Sequence, residues 1–212
     1  MTRERKSPEE RKSLLLEAAN QLFCLQGYSA TSVIDIATKA GVKKSTFFYY
    51  YPNKEKILYE LVSQWGHQVV TTFQEEYDGK NAKDRLTGFV RALALSYRMP
   101  LLERLFKDQE TALMIGTFDN VLEKNFNPIL KDILEQGQKN DCMVISNINV
   151  TIHFFWAVVE GLLDAYEEEE TMLQEEKQNR LENYAKEAET LLASLLGIET
   201  DTVKLNLPAF DK

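Results

Sequence analysis

The side chains best suited to chemistry in this chain lie in one short stretch, residues 43–54, where lysines and hydroxyl groups accompany five aromatic rings. Ammonium and hydroxyl groups bind phosphate oxygens, and a tyrosine ring can cover a sugar or a thymine methyl group. Three consecutive tyrosines, at positions 49–51, are rarely chosen for a surface that meets only water. The stretch therefore favours a surface that binds an anionic partner such as DNA.

The sequence contains no motif typical of an enzyme. It has no nucleophile motif, no glycine-rich phosphate loop and no cluster of metal ligands. Of the two histidines, His67 and His153, we expect the second to be a satisfied core residue rather than a metal ligand. Glu160 and Asp164, four residues apart, could serve an all-α enzyme or contact an effector, although capping or salt bridging is the simpler expectation. We predict no catalytic residue, no metal and no cofactor.

Two short helices with a tight turn between them position the side chains of the 43–54 stretch. Ser32 opens the first helix, at about 33–40, and Asp35 can return the bond in a reciprocal cap. Gly41 ends this helix, and a second one follows at about 44–51. Two short helices joined by a glycine-containing turn, the second carrying polar and aromatic groups, are typical of a helix-turn-helix.

The same residues resemble a known family. GVKKSTFFYYYPNKEKIL is similar to the recognition-helix signature of the TetR family of bacterial repressors, and GYSATSVIDIATKAGV is similar to the helix before it. The spacing from Gly27 through Gly41 to Pro52 and Lys54 carries the resemblance, which covers roughly the first 60 residues. It implies a helical homodimer that binds a palindromic operator and responds to a small-molecule effector.

The resemblance also assigns directions to the side chains of the second helix. It implies that Phe47 and Tyr51 pack inward, which leaves the other side chains for the DNA groove. Lys43 and Lys44 oppose the dipole at the start of this helix, a conflict that an anionic DNA surface would resolve. The chain departs from the family's pattern at Phe48, where a tyrosine is usual. We expect DNA contacts from Ser32, Lys43, Lys44, Ser45, Thr46, Phe48, Tyr49, Tyr50 and Lys54.

Charge is divided unevenly along the chain. The net charge is −8, yet residues 1–60 hold 10 Lys/Arg against 7 Asp/Glu, whereas the remainder holds 15 against 26. A mildly basic head on an acidic body places the attraction for phosphate at one end. No apolar run is long enough to span a membrane, and two distant cysteines form no disulfide framework, so we expect a cytoplasmic protein without a membrane partner.

The rest of the chain has the lengths and patterns of helices. A long helix is expected at about 54–77, and further ones at about 82–98, 100–116, 118–138, 146–168 and 172–197. The predicted fold class is therefore all-α, with about nine helices. A three-helix helix-turn-helix DNA-binding head occupies residues 1–52, and a larger helical effector-binding and dimerisation body occupies residues 53–212.

Two groups of body residues are expected to bind partners. Most aromatic and methionine side chains at helical spacing are core, but together they could bound a cavity for a flat or apolar effector. The residues expected around that cavity are Trp65, Phe89, Tyr97, Phe106, Met114, Phe118, Phe154 and Phe155. The last two long helices are expected to form a four-helix dimer interface through Phe155, Val159, Leu162, Tyr184, Ala188, Leu191, Leu192 and Leu195.

These features predict a ligand-responsive transcriptional repressor. Its partners would be a double-stranded DNA operator, a small apolar or aromatic effector that releases it from DNA, and a second copy of itself. Two alternatives stay open. A cytosolic all-α protein whose head docks a protein partner would show no salt-dependent affinity for DNA. An unrecognised small-molecule enzyme would keep its turnover after deletion of residues 1–50.

Overall fold

The computed structural model describes residues 7–97, 100–107, 116–117, 119–163 and 173–205. Over these residues every regular element is helical, which confirms the predicted all-α class. None of the described helices is long and apolar enough to cross a bilayer. The α-helices are α1 (Pro8–Gln26), α2 (Val33–Lys39), α3 (Lys44–Tyr50), α4 (Lys54–Tyr77), α5 (Ala82–Tyr97), α6 (Pro100–Lys107), α7 (Asn127–Lys139), α8 (Ile148–Leu163) and α9 (Gln174–Leu196).

Capping side chains set the starts of the first two helices, and the sequence predicts the second of these caps, at Ser32 and Asp35. The hydroxyl of Ser7 accepts the N–H of Glu10, whose carboxylate accepts the N–H of Ser7 in return. Ser32 and Asp35 repeat this arrangement at the start of α2, with distances of 3.1 and 2.8 Å. The hydrogen bonds from Ser32 lower the pKa of Asp35, so a full negative charge faces the N-terminus of α2. Gly41 follows that helix at a φ of +67°, a left-handed conformation that glycine adopts without strain.

The structure differs from the sequence prediction between residues 118 and 138. Where the periodicity predicts one α-helix, Leu122–Phe126 form a turn of π-helix that leads into α7. Pro128 accounts for the change, because it has no N–H to donate to the carbonyl of Lys124 and its ring crowds that carbonyl. The predicted helices at 100–116 and 146–168 run beyond the observed ends of α6 and α8 into residues outside the described part of the chain.

The contacts divide the chain into two compact units. The first consists of residues 1–66 and 99–121, and the second of residues 67–98 and 122–212. Helix α4 therefore contributes its first half to one unit and its second half to the other. The boundary predicted at residue 52, between a DNA-binding head and an effector-binding body, stays a prediction.

Helix α1 organises the core of the first unit. It packs against α2 and against α6. Its buried side chains recur at helical spacing along one face. The buried residues that these three helices contribute include Leu15, Ala18, Ala19, Leu22, Phe23, Ile36, Ala37, Leu101, Leu102 and Leu105.

Lys54 ties the start of α4 to the loop between α1 and α2. Its ammonium donates to the carbonyls of Tyr28 at 2.6 Å and Thr31 at 2.8 Å, and it lies 4.0 Å from the centroid of the Tyr28 ring. Both partner residues are buried, so their carbonyls depend on donors from the protein rather than from water. Asn53 caps the same helix by accepting the N–H of Lys56 at 2.9 Å.

A cluster of aromatic rings fills the centre of the second unit. The ring of Phe89, on α5, lies 5.5 Å from Phe73 of α4, 6.1 Å from Phe126 and 6.2 Å from Phe155 of α8. All four side chains are buried. Each ring removes a large apolar area from water, so this cluster stabilises the packing of three helices in the unit.

Replacement of Lys54 by methionine is expected to lower the free energy of unfolding by about 2–4 kcal/mol, because two buried carbonyls lose a charged donor. Methionine keeps much of the apolar length of lysine, so the loss reports the ammonium group. Chemical denaturation followed by circular dichroism measures the change. The matched control is Lys56→Met, since Lys56 is exposed and its ammonium lies over the Tyr59 ring. The free energy of unfolding of Lys56→Met is expected to stay within about 0.5 kcal/mol of the wild-type value. Equal losses in the two variants would contradict a stabilising role for the bonds from the Lys54 ammonium.

Candidate DNA-binding surface, aromatic core and dimer face

Two buried aromatic residues fix the orientation of α3. Phe47 is fully buried, Tyr51 just after the helix is nearly so, and their ring centroids are 5.8 Å apart. This confirms the inward direction predicted for both residues. Because 3.6 residues make one helical turn, Tyr49 then faces away from the core and Phe48 lies at its side.

Tyr51 is held between α1 and α4. Lys12 of α1 pairs with Glu60 of α4 at 2.7 Å, and its ammonium lies 5.9 Å from the centroid of the Tyr51 ring. Burial, followed by the negative charge of Glu60, raises the pKa of Tyr51 well above its usual range, so the hydroxyl stays neutral. The residue that ends α3 is thus held beside both α1 and α4.

The predicted DNA-contact residues of α3 lie on its outer side. Phe48 keeps 47% and Tyr49 keeps 80% of its surface exposed. The ammonium of Lys44 lies 5.7 Å from the centroid of the Phe48 ring, and the rings of Tyr49 and Tyr50 meet edge to face at 5.0 Å. The outer side of α3 therefore offers apolar rings, a cation and hydroxyl groups together. The other predicted contacts at this end of the head are exposed or half-buried, namely Ser32, Lys43, Ser45 and Thr46.

Three of the predicted DNA-contact residues differ in the bonds that their side chains make within the protein. Lys43 occupies the cap position of α3 without a side-chain bond to the helix, as expected for a lysine, so its ammonium is not committed to capping. The hydroxyl of Ser32 accepts the N–H of Asp35 in the cap of α2, and its contact with DNA stays a prediction. Lys54 directs its ammonium at protein carbonyls, and its contact with phosphate stays a prediction.

The predicted effector residues fall into separate places. Phe89 and Phe155 lie together in the aromatic cluster of the second unit. Trp65 is buried on the part of α4 that belongs to the first unit, and Phe154 is 55% exposed on α8. For the remaining four, the side chains lie outside the described residues: Tyr97, Phe106, Met114 and Phe118.

The aromatic cluster also contains residues that the sequence prediction left out. Phe73 follows Val69 by four residues on the apolar stripe of α4, so helical spacing alone could have placed it. Trp156 donates its indole N–H to the side-chain oxygen of Asn127 at 2.7 Å, and its ring lies 6.0 Å from Phe126. No sequence pattern predicts that hydrogen bond, because 29 positions separate the two partners.

An open apolar groove of about 730 Å³ runs between α8 and α9. Phe154 on α8 and Leu191 on α9 are each more than half exposed there, at 55% and 54%. Polar groups contribute little to its walls, and the small residues Ala157 and Gly161 leave room on the α8 side. A surface of this kind needs a covering partner.

The predicted dimer residues lie partly on this groove and partly beneath it. Those that line it are Leu162, Tyr184, Ala188, Leu191 and Leu195. Leu162 and Ala188 are nevertheless buried within one copy, as are the remaining predicted residues Phe155, Val159 and Leu192, so Tyr184, Leu191 and Leu195 offer the surface that a second copy could cover. The groove also uses α8 residues that were not predicted for it: Phe154, Ala157, Val158 and Gly161.

The expectation of a core position for His153 is wrong. Its side chain is exposed on α8, and its ring lies 5.9 Å from that of Phe154. Glu160 is exposed on the same helix, and Asp164 lies outside the described residues. Helix α8 is apolar nearly all round, so its sequence does not determine which side packs into the unit. Within the described residues, no group of three His, Cys, Asp or Glu side chains is arranged to hold a metal ion.

Sequence comparison relates the head to known regulators. Residues 15–61 match the profile of the bacterial regulatory proteins of the tetR family. YdgC of Bacillus subtilis, an uncharacterized HTH-type transcriptional regulator, is 30% identical over 142 residues, which cover 63% of this chain and 68% of YdgC. Matches to other curated relatives span as little as 22% of those proteins' length.

Structural comparison extends the likeness over most of the chain. FadR from Bacillus subtilis in complex with stearoyl-CoA has a TM-score of 0.66 at 20% identity, covering 88% of this chain and 99% of FadR. RolR in complex with resorcinol has a TM-score of 0.67 at 15% identity, covering 96% and 97%. Identities this low show the fold alone, whereas the profile match and the relationship to YdgC carry the family. The chain belongs to the TetR family of bacterial transcriptional regulators.

Proposed function

We propose that the protein is a repressor that binds a palindromic DNA operator as a homodimer and leaves it when a small apolar or aromatic effector binds. The observation that carries this proposal is the outer side of α3. Because Phe47 and Tyr51 are buried, Lys44, Phe48 and Tyr49 project outward on one short helix. Cations that contact phosphates and rings that contact base edges are suited to binding in a major groove.

The charge distribution also favours the head as the end of the molecule that binds DNA. Residues 1–60 carry more Lys and Arg than Asp and Glu, whereas the rest of the chain is strongly acidic. Lys39, Lys43 and Lys44 are exposed on or beside the helix-turn-helix. An acidic remainder is repelled by phosphate, so electrostatics would favour approach of the head to DNA.

A second copy of the chain is the proposed occupant of the groove between α8 and α9. Phe154, Tyr184 and Leu191 offer apolar surface there, and Ala157 and Gly161 would let a facing helix approach closely. A two-fold interface of these helices would join four helices and cover the groove of each copy. Two-fold symmetry then favours an operator whose half-sites are palindromic and about 34–36 Å apart, or a multiple of that distance.

The aromatic cluster of the second unit is the proposed effector site. Its rings are packed against one another, so an effector would have to part them and take over their apolar contacts. FadR was crystallised with stearoyl-CoA and RolR with resorcinol. An acyl chain and an aromatic ring are both compatible with walls made by Phe89, Phe126 and Phe155.

Helix α4 is the proposed connection between effector and DNA. Phe73, in the second half of α4, belongs to the aromatic cluster, and Lys54 at its start is bonded to the loop before α2. Displacement of Phe73 by an effector would therefore shift the helix that is tied to the helix-turn-helix. Typical allosteric coupling of about 1–3 kcal/mol would lower operator affinity about 5- to 150-fold.

Replacing Lys44 and Tyr50 together by alanine is expected to weaken operator binding about tenfold or more, because a phosphate cation and a contacting ring are lost. The probe is a duplex selected from a random pool by the wild-type protein, and fluorescence anisotropy at two salt concentrations measures the affinity. Lys131→Ala removes an exposed lysine from α7 and serves as the control. Unchanged affinity in the double variant would reject α3 as the reader.

Introducing glutamate at both Phe154 and Leu191 is expected to convert the dimer to a monomer, because like charges would be buried face to face. Sedimentation velocity measures the mass. Val144→Glu adds the same charge at another exposed apolar position, outside the groove lining, and should leave the dimer intact. A wild-type monomer, or a double variant that stays dimeric, would refute the proposed interface.

Binding of an effector is expected to change the fluorescence of Trp156, because its indole lies in the aromatic cluster. The variant Trp65→Phe leaves Trp156 as the single tryptophan, and Trp156→Phe is the matched control. Long-chain acyl-CoAs and small phenols form the test panel. A compound that lowers operator affinity should perturb Trp156 and have little effect on Trp65. A compound that releases DNA with the Trp156 signal unchanged would place the effector site elsewhere.

A further inference from the structure

We infer that Phe48 and Tyr49 select the operator by contacting thymine methyl groups, so that each half-site contains thymines whose methyl groups face α3. This inference rests on the proposed function, since it names the chemistry by which the head would choose its DNA. It goes further in stating which base group is recognised and which two side chains recognise it.

The composition of α3 excludes most other modes of base recognition. Guanine is typically recognised by Arg or Lys, adenine by Asn or Gln, and cytosine by Asp or Glu. The seven residues of α3, KSTFFYY, contain none of these types except a single lysine. Ser and Thr hydroxyls discriminate weakly, because they both donate and accept. The C5-methyl of thymine is the apolar group that base pairs present in the major groove, and phenylalanine can contact it.

The geometry of α3 places the two rings where such a contact requires them. Ser45, Phe48 and Tyr49 are spaced three and four residues apart and therefore share one side of the helix. All three are exposed, with 47% of the Phe48 surface and 80% of the Tyr49 surface open to solvent, whereas their neighbour Phe47 is fully buried. Phe48 has no hydrogen-bonding group, so an apolar base group is the specific partner that it can have.

The charges around the rings favour DNA over a protein partner for this surface. Lys44 holds its ammonium 5.7 Å from the Phe48 ring centroid, and Lys43 is exposed one residue before it. A ring that enters the groove would thus be accompanied by cations within reach of the flanking phosphates. Lys54 already donates two ammonium hydrogens to protein carbonyls. The rings, rather than a dense set of cations, are therefore expected to discriminate between base sequences.

The test compares an operator duplex with copies in which thymine is replaced by uracil, which removes the methyl group and keeps the base pairing. The duplex is selected by the wild-type protein from a random-sequence pool, and each thymine is replaced in turn. Every contacted methyl that is lost should raise Kd about fourfold, or about fifteenfold when one methyl is lost from each half-site.

Protein variants then assign the effect to the two rings. With Phe48→Ala or Tyr49→Ala, the uracil penalty at the affected thymine should fall to less than twofold, even though overall affinity also falls. Tyr49→Phe keeps the ring and should retain the penalty. Leu25→Ala truncates another exposed apolar side chain of the first unit, in α1, and should leave the penalty unchanged. Tyr49→Ala alone suffices if Phe48→Ala does not fold.

The outcomes separate this inference from the function on which it rests. Binding to a selected duplex with no uracil penalty at any position would overturn methyl recognition and leave the repressor proposal standing. A penalty that persists in both alanine variants would assign the methyl contact to other residues and also overturn it. Failure to select any duplex would overturn the proposed function together with the inference.

Discussion

The burial of Phe47 and Tyr51 is the constraint on which the rest of the head depends. Both rings lie on one side of α3, and Tyr51 is further held beside the Lys12–Glu60 ion pair. A helix anchored on one side has no freedom to rotate, so Phe48 and Tyr49 are exposed as a consequence. The exposure of two aromatic rings costs solvation in the free protein, and contact with DNA is the event that would recover it.

Helix α4 contributes residues to both units. Its first residues are secured by the Asn53 cap and by the bonds from Lys54, and its second half places Phe73 against Phe89. In the proposed mechanism, an effector that displaced Phe73 would shift α4 as a body. Under the proposed function, apolar contacts between the rings of the cluster would be exchanged for contacts with an apolar ligand.

Sequence reasoning predicted the head well because local rules decide it. The capping pair of Ser32 and Asp35 and the turn at Gly41 follow from neighbours a few positions away, whereas the inward direction of Phe47 was implied by the resemblance to the TetR family. The same reasoning failed for helix α8. It is apolar on nearly every side, so periodicity does not distinguish the covered Phe155 from the exposed Phe154, and it gave His153 a buried place that the structure does not support. A search for apolar residues with a period of 3.6 also cannot predict the π-helical turn before Pro128.

Photocross-linking tests most directly whether the outer side of α3 meets DNA. A selected duplex would carry 5-iododeoxyuridine in place of thymidine, so that irradiation joins the base to an aromatic side chain in contact with it. Mass spectrometry of the digested complex then identifies the joined residue. The account predicts that cross-links concentrate on Phe48 and Tyr49. Cross-links confined to α8 or α9, or none from a duplex that is tightly bound, would contradict it.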